Sequence, residues 1–469
     1  MVVITIMLTA CRKLVEVDLP FSQLYTESVF KNDATAISAM TEIYAKLSMD
    51  QSIPADVPIY TGIYSDELKT YVTSGLYLAY YQNSLLGSAS GTTDNWWKGL
   101  YNLIYQSNDV FEGCEKSGTL TPAVKKQLMA EARFIRGFCY FYLVNYWGEV
   151  PLALTTDYTV NNRLKRSPVT EVYTQIIADL VYATDNLNVN YLSGNTVAVA
   201  TDRLRPNSSV AKAFLARVYL YNKQYGLAEQ AASSVIANTS VYKLETLNNV
   251  FLKTSKEAIW QLALPTPYVN GNGNAQEGYQ FILSAKPSTT GAYGSLTLSD
   301  QQLAAFEAND GRLTNWVGTY VDGTVTPNAR YSYAFKFKQR NSLTPVEHST
   351  PLRLAEQYLI RSEARLLTGN IVGAEDDLNE VRLRAGLPKI TGSTETTLKR
   401  DILRERQVEL FTEWGHRYLD LKRTGNIDVV MQVVSPLKNG TWSSYKAYFP
   451  LALTELQNNP NLVQTKGYE

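Results

Sequence analysis

The stretch Gln127 to Pro151, QLMAEARFIRGFCYFYLVNYWGEVP, constrains this chain more than any other. Leu128, Ile135, Phe138 and Tyr142 recur at helical spacing, which predicts a long helix. Thr121-Pro122 opens it, and Gly148 with Pro151 ends it, because proline cannot continue the backbone ladder. Seven aromatic residues fall between Phe134 and Trp147, so the helix is thick and must lie within a large core. Arg133 and Arg136 interrupt the apolar run. They must be ion-paired, or carry their heads to the surface with their stems buried. The carboxylates between Glu405 and Glu413 are the expected partners.

The rest of the composition narrows the function class. Lys+Arg and Asp+Glu both number 44 in 469 residues, so the basic footprint of a nucleic-acid binder is missing. The 32 tyrosines supply flat apolar area with a hydroxyl at one end, which suits carbohydrate and protein surfaces. More than half of them are expected to pack helices. Cys114 and Cys139 sit in helical patterns and are expected to be buried free thiols. No CxxC spacing occurs, so neither a metal nor a cofactor is expected. The third cysteine, Cys11, closes the apolar leader MVVITIMLTA. Leu8-Thr9-Ala10-Cys11 resembles a bacterial lipobox, whose cysteine is lipidated after cleavage. The leader lacks a basic start, so the true start is expected upstream. No other stretch approaches the ~20 apolar residues of a membrane helix.

In chain order, residues 1–20 read as the truncated signal and a polar leash. Asn32-Asp33 caps a helix through Ile37, Met40, Tyr44 and Leu47. Gln51 to Thr93 shows no helical period and carries Tyr60, Tyr64, Tyr71, Tyr77, Tyr80 and Tyr81 among glycines and prolines. An insertion of this length predicts function. Asp94 caps a helix in which Trp96 and Trp97 fall in core register, and Ser167-Pro168 opens another. Val210–Asn222 and Leu227–Ala237 then form a helix pair whose Ala228, Ala232 and Val235 are matched in spacing by Ala374, Leu378 and Val381 of a second pair, Arg353–Gly369 and Val372–Arg384. Such pairs have the packing positions of tetratricopeptide repeats, although Lys212 and Arg365 replace the usual aromatics. Residues 241–350 alternate short apolar runs with Gly, Pro and Asn clusters. Ala258–Leu262 and Tyr333–Phe337 read as strands, and Asn270 to Asn274 as a loop. Thr396–Arg423 reads as one long helix with Glu405, Glu409, Glu413 and Arg417 in a solvated or salt-bridged stripe. The fold class is therefore all-α: a tetratricopeptide-like core (21–240 and 350–430) with a loop-rich part containing short strands (241–349 and 431–469), together one globular unit over 21–469.

Catalytic constellations are missing. His348 and His416 lie in separate segments, and no HExxH, GxSxG or P-loop occurs. Asp66-Glu67 could imitate a glycosidase pair, but adjacent residues on a strand point to opposite faces. No catalytic residue is assigned, and the chain is read as non-enzymatic.

Taken together, several segments resemble the SusD/RagB family of outer-membrane nutrient-binding lipoproteins. They are Cys11 with Glu16-Val17-Asp18, Tyr25 to Phe30, Trp97-Lys98-Gly99-Leu100-Tyr101 to Asn108, Glu131-Ala132-Arg133-Phe134-Ile135-Arg136-Gly137, Arg404-Glu405-Arg406 to Glu413, Gly415-His416-Arg417, Asp420 to Arg423, Phe449-Pro450, and Asn459-Pro460-Asn461-Leu462. The resemblance implies a lipid-anchored protein on the outer-membrane surface. It would hold a glycan and act as a lid on a SusC-like TonB-dependent transporter. Under that role, aromatic platforms for sugar faces are expected at Tyr64, Tyr71, Tyr77, Tyr80, Tyr81, Tyr293, Trp316 and Tyr320. The competing expectation is a helical-repeat scaffold that binds a peptide or protein.

Overall fold

The computed structural model describes residues 28–49, 56–88, 92–265, 272–291 and 294–469. Cys11 and Tyr293 lie outside them. Helices α1 (Asp33–Met49), α2 (Asp56–Tyr64) and, after strand β1 (Leu68–Thr70), α3 (Gly75–Tyr81) come first. The helical array follows: α4 (Thr92–Lys116), α5 (Pro122–Trp147), α6 (Val169–Asn186), α7 (Ser208–Tyr221) and α8 (Tyr225–Ile236). The loop-rich part holds β2 (Ala258–Leu262), α9 (Gln276–Phe281), β3 (Leu296–Leu298), α10 (Asp300–Ala305), α11 (Gly311–Trp316), β4 (Val317–Asp322), β5 (Ala329–Ala334) and β6 (Ser349–Arg353). The array resumes with α12 (Leu354–Leu367), α13 (Ile371–Arg384) and α14 (Glu395–Glu409). Finally come α15 (His416–Arg423), α16 (Ile427–Leu437) and α17 (Leu453–Asn458).

Each helix of the array packs on the next: α4 on α5, α5 on α6, α6 on α7, α7 on α8, α8 on α12, and α12 on α13. The two sequence repeats are thus neighbours in space, although more than a hundred residues of other structure separate them. Ala228, Ala232 and Ala374 are fully buried at these contacts, where a small side chain lets backbones approach. The strands form three antiparallel pairs, β1–β3, β2–β6 and β4–β5.

The segment 51–93 departs from the expected irregular insertion. It contains α2 and α3, and every residue of α2 from Val57 to Tyr64 is buried. A helix covered on all sides has no polar face and therefore no readable period. The expected single helix Thr396–Arg423 is broken. Thr412 (φ 54°), Trp414 (φ 47°) and Gly415 (φ 76°) turn the chain between α14 and α15. A Cβ at residue 415 would lie 2.6 Å from the Tyr146 hydroxyl oxygen, so glycine is required there twice over. β5 ends at Ala334 rather than running through Phe337, and the expected loop-rich tail contains most of α16 and all of α17. Cys114 and Cys139 are free and buried, as expected.

Arg133 and Arg136 do not reach the Glu405–Glu413 stripe. Arg136 donates from Nε and Nη2 to Asp179 of α6 at 2.8 and 2.6 Å, and from Nη1 to Asn108 of α4 at 2.8 Å. Arg133 donates to the same carboxylate at 2.8 Å. Gly137 permits this: a Cβ there would stand 3.3 Å from Leu180 and 3.5 Å from the Asp179 Cβ, so α6 can come close.

The stripe itself is buried and paired with other cations. Arg312 bonds Glu405 and Glu409 at 2.6 and 2.8 Å. Arg353 bonds Glu257, Glu409 and Glu413 at 2.9, 2.6 and 2.7 Å. Arg384 joins Glu257 at 2.9 Å and also Glu409, and Arg382 joins Glu405. Burial alone would raise the Glu409 pKa, but Arg384, Arg353 and Arg312 more than offset it and hold the carboxyl well below the ordinary range.

Two outcomes follow for variants. Arg136→Ala leaves Asp179 with only Arg133 and Gln175, and should destabilise the fold by about 3 kcal/mol in urea titrations, without altering ligand preference; an unchanged midpoint contradicts this. Because the Glu409 pKa is depressed, its contribution is complete above the ordinary glutamate value of 4.5 and is lost as pH falls below it. Glu409→Gln should therefore cost about 3–5 kcal/mol at pH 7. The gap from wild type should narrow steadily below pH ~4.

Candidate functional site

Strand β1 alternates: Leu68 and Thr70 point inward and Lys69 outward. The Tyr71 amide donates to the Ser295 carbonyl at 3.1 Å and extends the pairing with β3 past the named strand. Tyr71 thus stands on the same side as Lys69, whose Nζ lies 5.2 Å from the centre of its ring. The Tyr71 ring meets Tyr331 of β5 edge-on, with centroids 5.6 Å apart and planes at 81°.

The β4–β5 register sets Tyr320 opposite Tyr331 and Gly318 opposite Tyr333. Residues two apart on a strand share a face, so these three tyrosines project together. Gly318 has a specific part in this. A Cβ there would lie 2.3 Å from Tyr333, so only glycine lets that ring lie across the neighbouring strand. Tyr81, at the end of α3, completes the group: its phenol is raised above the ordinary range by burial, with Tyr71 and Asp300 adding to the shift. Tyr71, Tyr81, Tyr320, Tyr331 and Tyr333 are all half-buried. Each is partly covered by protein and partly accessible to solvent. The result is a tyrosine strip built from three chain segments.

The other sequence candidates lie elsewhere. Tyr64 and Tyr80 are completely buried, with rings against Phe449 at 5.3 and 5.8 Å. Trp316 is likewise buried; its indole N–H bonds the Leu247 carbonyl at 2.8 Å and Lys336 sits 4.7 Å from its ring. None of the three offers a face to a ligand, and all three are corrected to core residues. Tyr77 packs on Tyr60 at 5.0 Å, at the margin of that core. Tyr331, Tyr333 and Lys69 were missed. The alternation Ala329-Arg-Tyr-Ser-Tyr-Ala334 was the signal for the first two, once its hairpin partner is known.

Asp66 and Glu67 do not form a catalytic pair. Asp66 is bound by the Arg417 guanidinium at 2.8 and 2.6 Å. Glu67 is buried beside it, and desolvation pushes its carboxyl up to about 8 despite the Thr412 amide and Lys336. Among the described residues, no group of three His, Cys, Asp or Glu could hold a metal ion, and no helix is long and apolar enough to cross a membrane. Among the described residues several hollows lie elsewhere, two of which are lined by both charged and apolar side chains. One, of about 440 Å³, lies between α14 and α16 and is lined by Lys399, Arg404, Arg417 and Val430. The other, of about 330 Å³, is lined by Tyr44, Leu192, Asp202 and Leu264. The strip itself is an open face.

Comparison with known proteins places the chain in a class. Residues 23–220 match the family model described as "Starch-binding associating with outer membrane", and residues 270–468 match that of the SusD family. The chain belongs to the SusD/RagB family. A SusD-like protein of Bacteroides ovatus is 26% identical over 446 residues, covering 84% of this chain and 76% of its own. A SusD superfamily protein of Bacteroides vulgatus superposes with a TM-score of 0.78 at 20% identity, over 93% of this chain and 99% of its own. A laminarin-binding SusD-like protein gives a TM-score of 0.76 at 22% identity, over 93% of this chain and 100% of its own.

The raised Glu67 carboxyl makes a pH prediction. A carboxyl whose folded pKa is raised contributes stability below the ordinary value of 4.5 and loses it as pH rises through about 8. Glu67→Gln cannot ionise, so its melting temperature relative to wild type should climb between pH 5 and 8 and level off above. A constant offset across that range would show that Glu67 does not titrate there.

Proposed function

We propose that this protein captures a glycan at the cell surface and passes it to a SusC-like TonB-dependent transporter of the outer membrane. The tyrosine strip carries the reading. Sugar rings present flat C–H faces that stack on aromatic rings, and their hydroxyls bond to phenols and main-chain groups at the edges. An open, laterally continuous face suits a long polymer better than a closed pocket does. The family description names starch binding and the outer membrane, and a structural neighbour binds laminarin. Attachment through a lipid on Cys11 belongs to the same proposal and rests on Leu8 to Cys11 alone. Labelling with a fatty-acid analogue, lost in Cys11→Ala, tests it on the full-length chain.

One observation favours the alternative of a protein partner. Val429, Val433 and Leu437 stand one helical turn apart along α16 and are 69, 67 and 67% exposed. A single apolar line of this kind suits a second protein. It is compatible with glycan capture, since transfer to a transporter also needs a protein contact.

Tyr71→Ala and Tyr331→Ala should each weaken binding about tenfold, or ~1.4 kcal/mol. Affinity electrophoresis across a panel of polysaccharides reads this out, and thermal unfolding should shift little because both rings are half-buried. Wild-type affinity in both variants would remove the strip from the reading.

A further inference from the structure

The Tyr333 ring is laid down on its own sheet. Side chains on a strand ordinarily stand away from the sheet. Tyr333 instead leans across β4. A Cβ built on Gly318 would stand 2.3 Å from its Cζ, 2.4 Å from Cε2 and 2.7 Å from the hydroxyl oxygen. Within the plane of a phenol, any point that far from Cζ is nearer to one of the three atoms bonded to Cζ. This point is nearer to Cζ than to any of them, so it lies above the ring plane. The phenol therefore covers Gly318 with its face, and its second face is turned away from the sheet.

Little else holds that ring. Among the described residues, the one ring that meets it is Phe335, at 6.0 Å and 85°. Burial raises its phenol above the ordinary range, and no charged neighbour adds to the shift. Tyr333 remains partly accessible to solvent. Tyr71 differs: Lys69 stands 5.2 Å from the centre of its ring, and Tyr331 meets the same ring at 81°.

A glycine inside a strand weakens it, and is kept where something must come close. At Gly318 the ring comes close. A ring pressed face-down offers its other face as a flat surface with little side-chain freedom left to lose on binding. The Gly318–Tyr333 pair adjoins the Tyr320–Tyr331 pair on the same face of the hairpin. The two pairs are about 7 Å apart along the strands, so they form one continuous surface. Resting on the reading of the strip as the glycan site, we infer that the outward face of Tyr333 is its stacking platform for a sugar ring of the ligand. Gly318 is the positioning residue that turns this face outward. The ligand is then a glycan whose units expose a flat C–H face. Tyr71, with Lys69 over its ring, borders the platform.

A ring over a strand glycine also shields the backbone beneath it, so the test must separate recognition from support. Laminarin, soluble starch and xylan serve as probes in affinity electrophoresis of the intact protein, and the one bound most tightly is used for the variants. Tyr333→Ala should weaken its binding about tenfold. Tyr333→Phe keeps the ring face without the hydroxyl and should recover most of that loss. Gly318→Ala should cost as much as Tyr333→Ala, because its methyl group displaces the ring. In the Tyr333→Ala background it should cost nothing further, since the two changes remove one contact. Tyr333→Ala carries the test if Gly318→Ala fails to fold. Gly318→Ala at wild-type affinity, or a second loss in the Tyr333→Ala background, would overturn the role of Gly318. Suppose Tyr71→Ala and Tyr331→Ala damage binding, while Tyr333→Ala is silent or Tyr333→Phe is as weak as Tyr333→Ala. The platform is then overturned and the strip stands. Indifference of all three tyrosines to alanine, or binding of no probe, would overturn both.

Discussion

Glu409 holds this structure together. It sits at the end of α14, fully buried, and takes ion pairs from Arg312, Arg353 and Arg384. Moving such a carboxylate out of water costs several kcal/mol, and each guanidinium costs as much again. The arrangement is tolerable only because every member is paired. Its partners come from different places. Arg312 lies in the loop-rich part, Arg353 joins that part to α12, and Arg384 ends α13; around them Lys336 of the loop-rich part bonds Glu413 and the Glu409 carbonyl, and Arg382 bonds Glu405. The cluster therefore fastens an irregular segment of about a hundred residues to a regular helical array. The β4–β5 hairpin begins one residue after Trp316, and Trp316 is packed against Lys336 at 4.7 Å. The position of the tyrosine strip descends from the ion cluster through that contact.

A second fastening is apolar. Phe449 contacts Tyr146 at 5.6 Å, Tyr418 at 5.8 Å, Tyr64 at 5.3 Å and Tyr80 at 5.8 Å. Its amide donates to the Tyr146 carbonyl at 2.8 Å, and the Trp147 indole donates to Pro450 at 3.1 Å. The tail thus closes over the end of α5 and traps α2 and α3 beneath it. Aromatic pairs in such edge and offset geometries add about 0.5–1.5 kcal/mol each beyond burial. This shows how a tyrosine-rich chain divides its tyrosines: Tyr60 and Tyr64 of α2 and Tyr80 of α3 fill the core, while their sequence neighbours Tyr71 and Tyr81 reach the surface.

The helical array was legible because its signals are local. Pro122 at the first turn of α5, and the small residues Ala228, Ala232 and Ala374, report on one helix and its neighbour. Ring orientation was not legible. Tyr64, Tyr71, Tyr80 and Tyr81 fall within eighteen residues of one sequence, yet two are core and two are surface, and the difference is made by Phe449 and Tyr331 far along the chain. The partners of Arg133 and Arg136 were misjudged for the same reason. Ion pairing was required by their burial, but the choice of Asp179 over Glu405 or Glu409 depends on α6 lying against Gly137. The break at Thr412 to Gly415 was hidden because Leu410 and Phe411 continue the apolar pattern of α14 across it.

The strip is made of three segments, around Lys69–Tyr71, at Tyr81, and from Gly318 to Tyr333, and none lies in the repeat array. Its tyrosines are half-buried and replaceable at little cost to the fold, whereas the charges beneath the hairpin are fully buried and each is indispensable to its partners. If the strip is the ligand site, recognition and support are carried by different residues that sit close in space. On the proposed reading, a change of ligand needs new side chains only after β1, at the end of α3 and on the hairpin. It need not disturb Arg312, Arg353 or Glu409, which keep those strands in place whatever they present to the solvent.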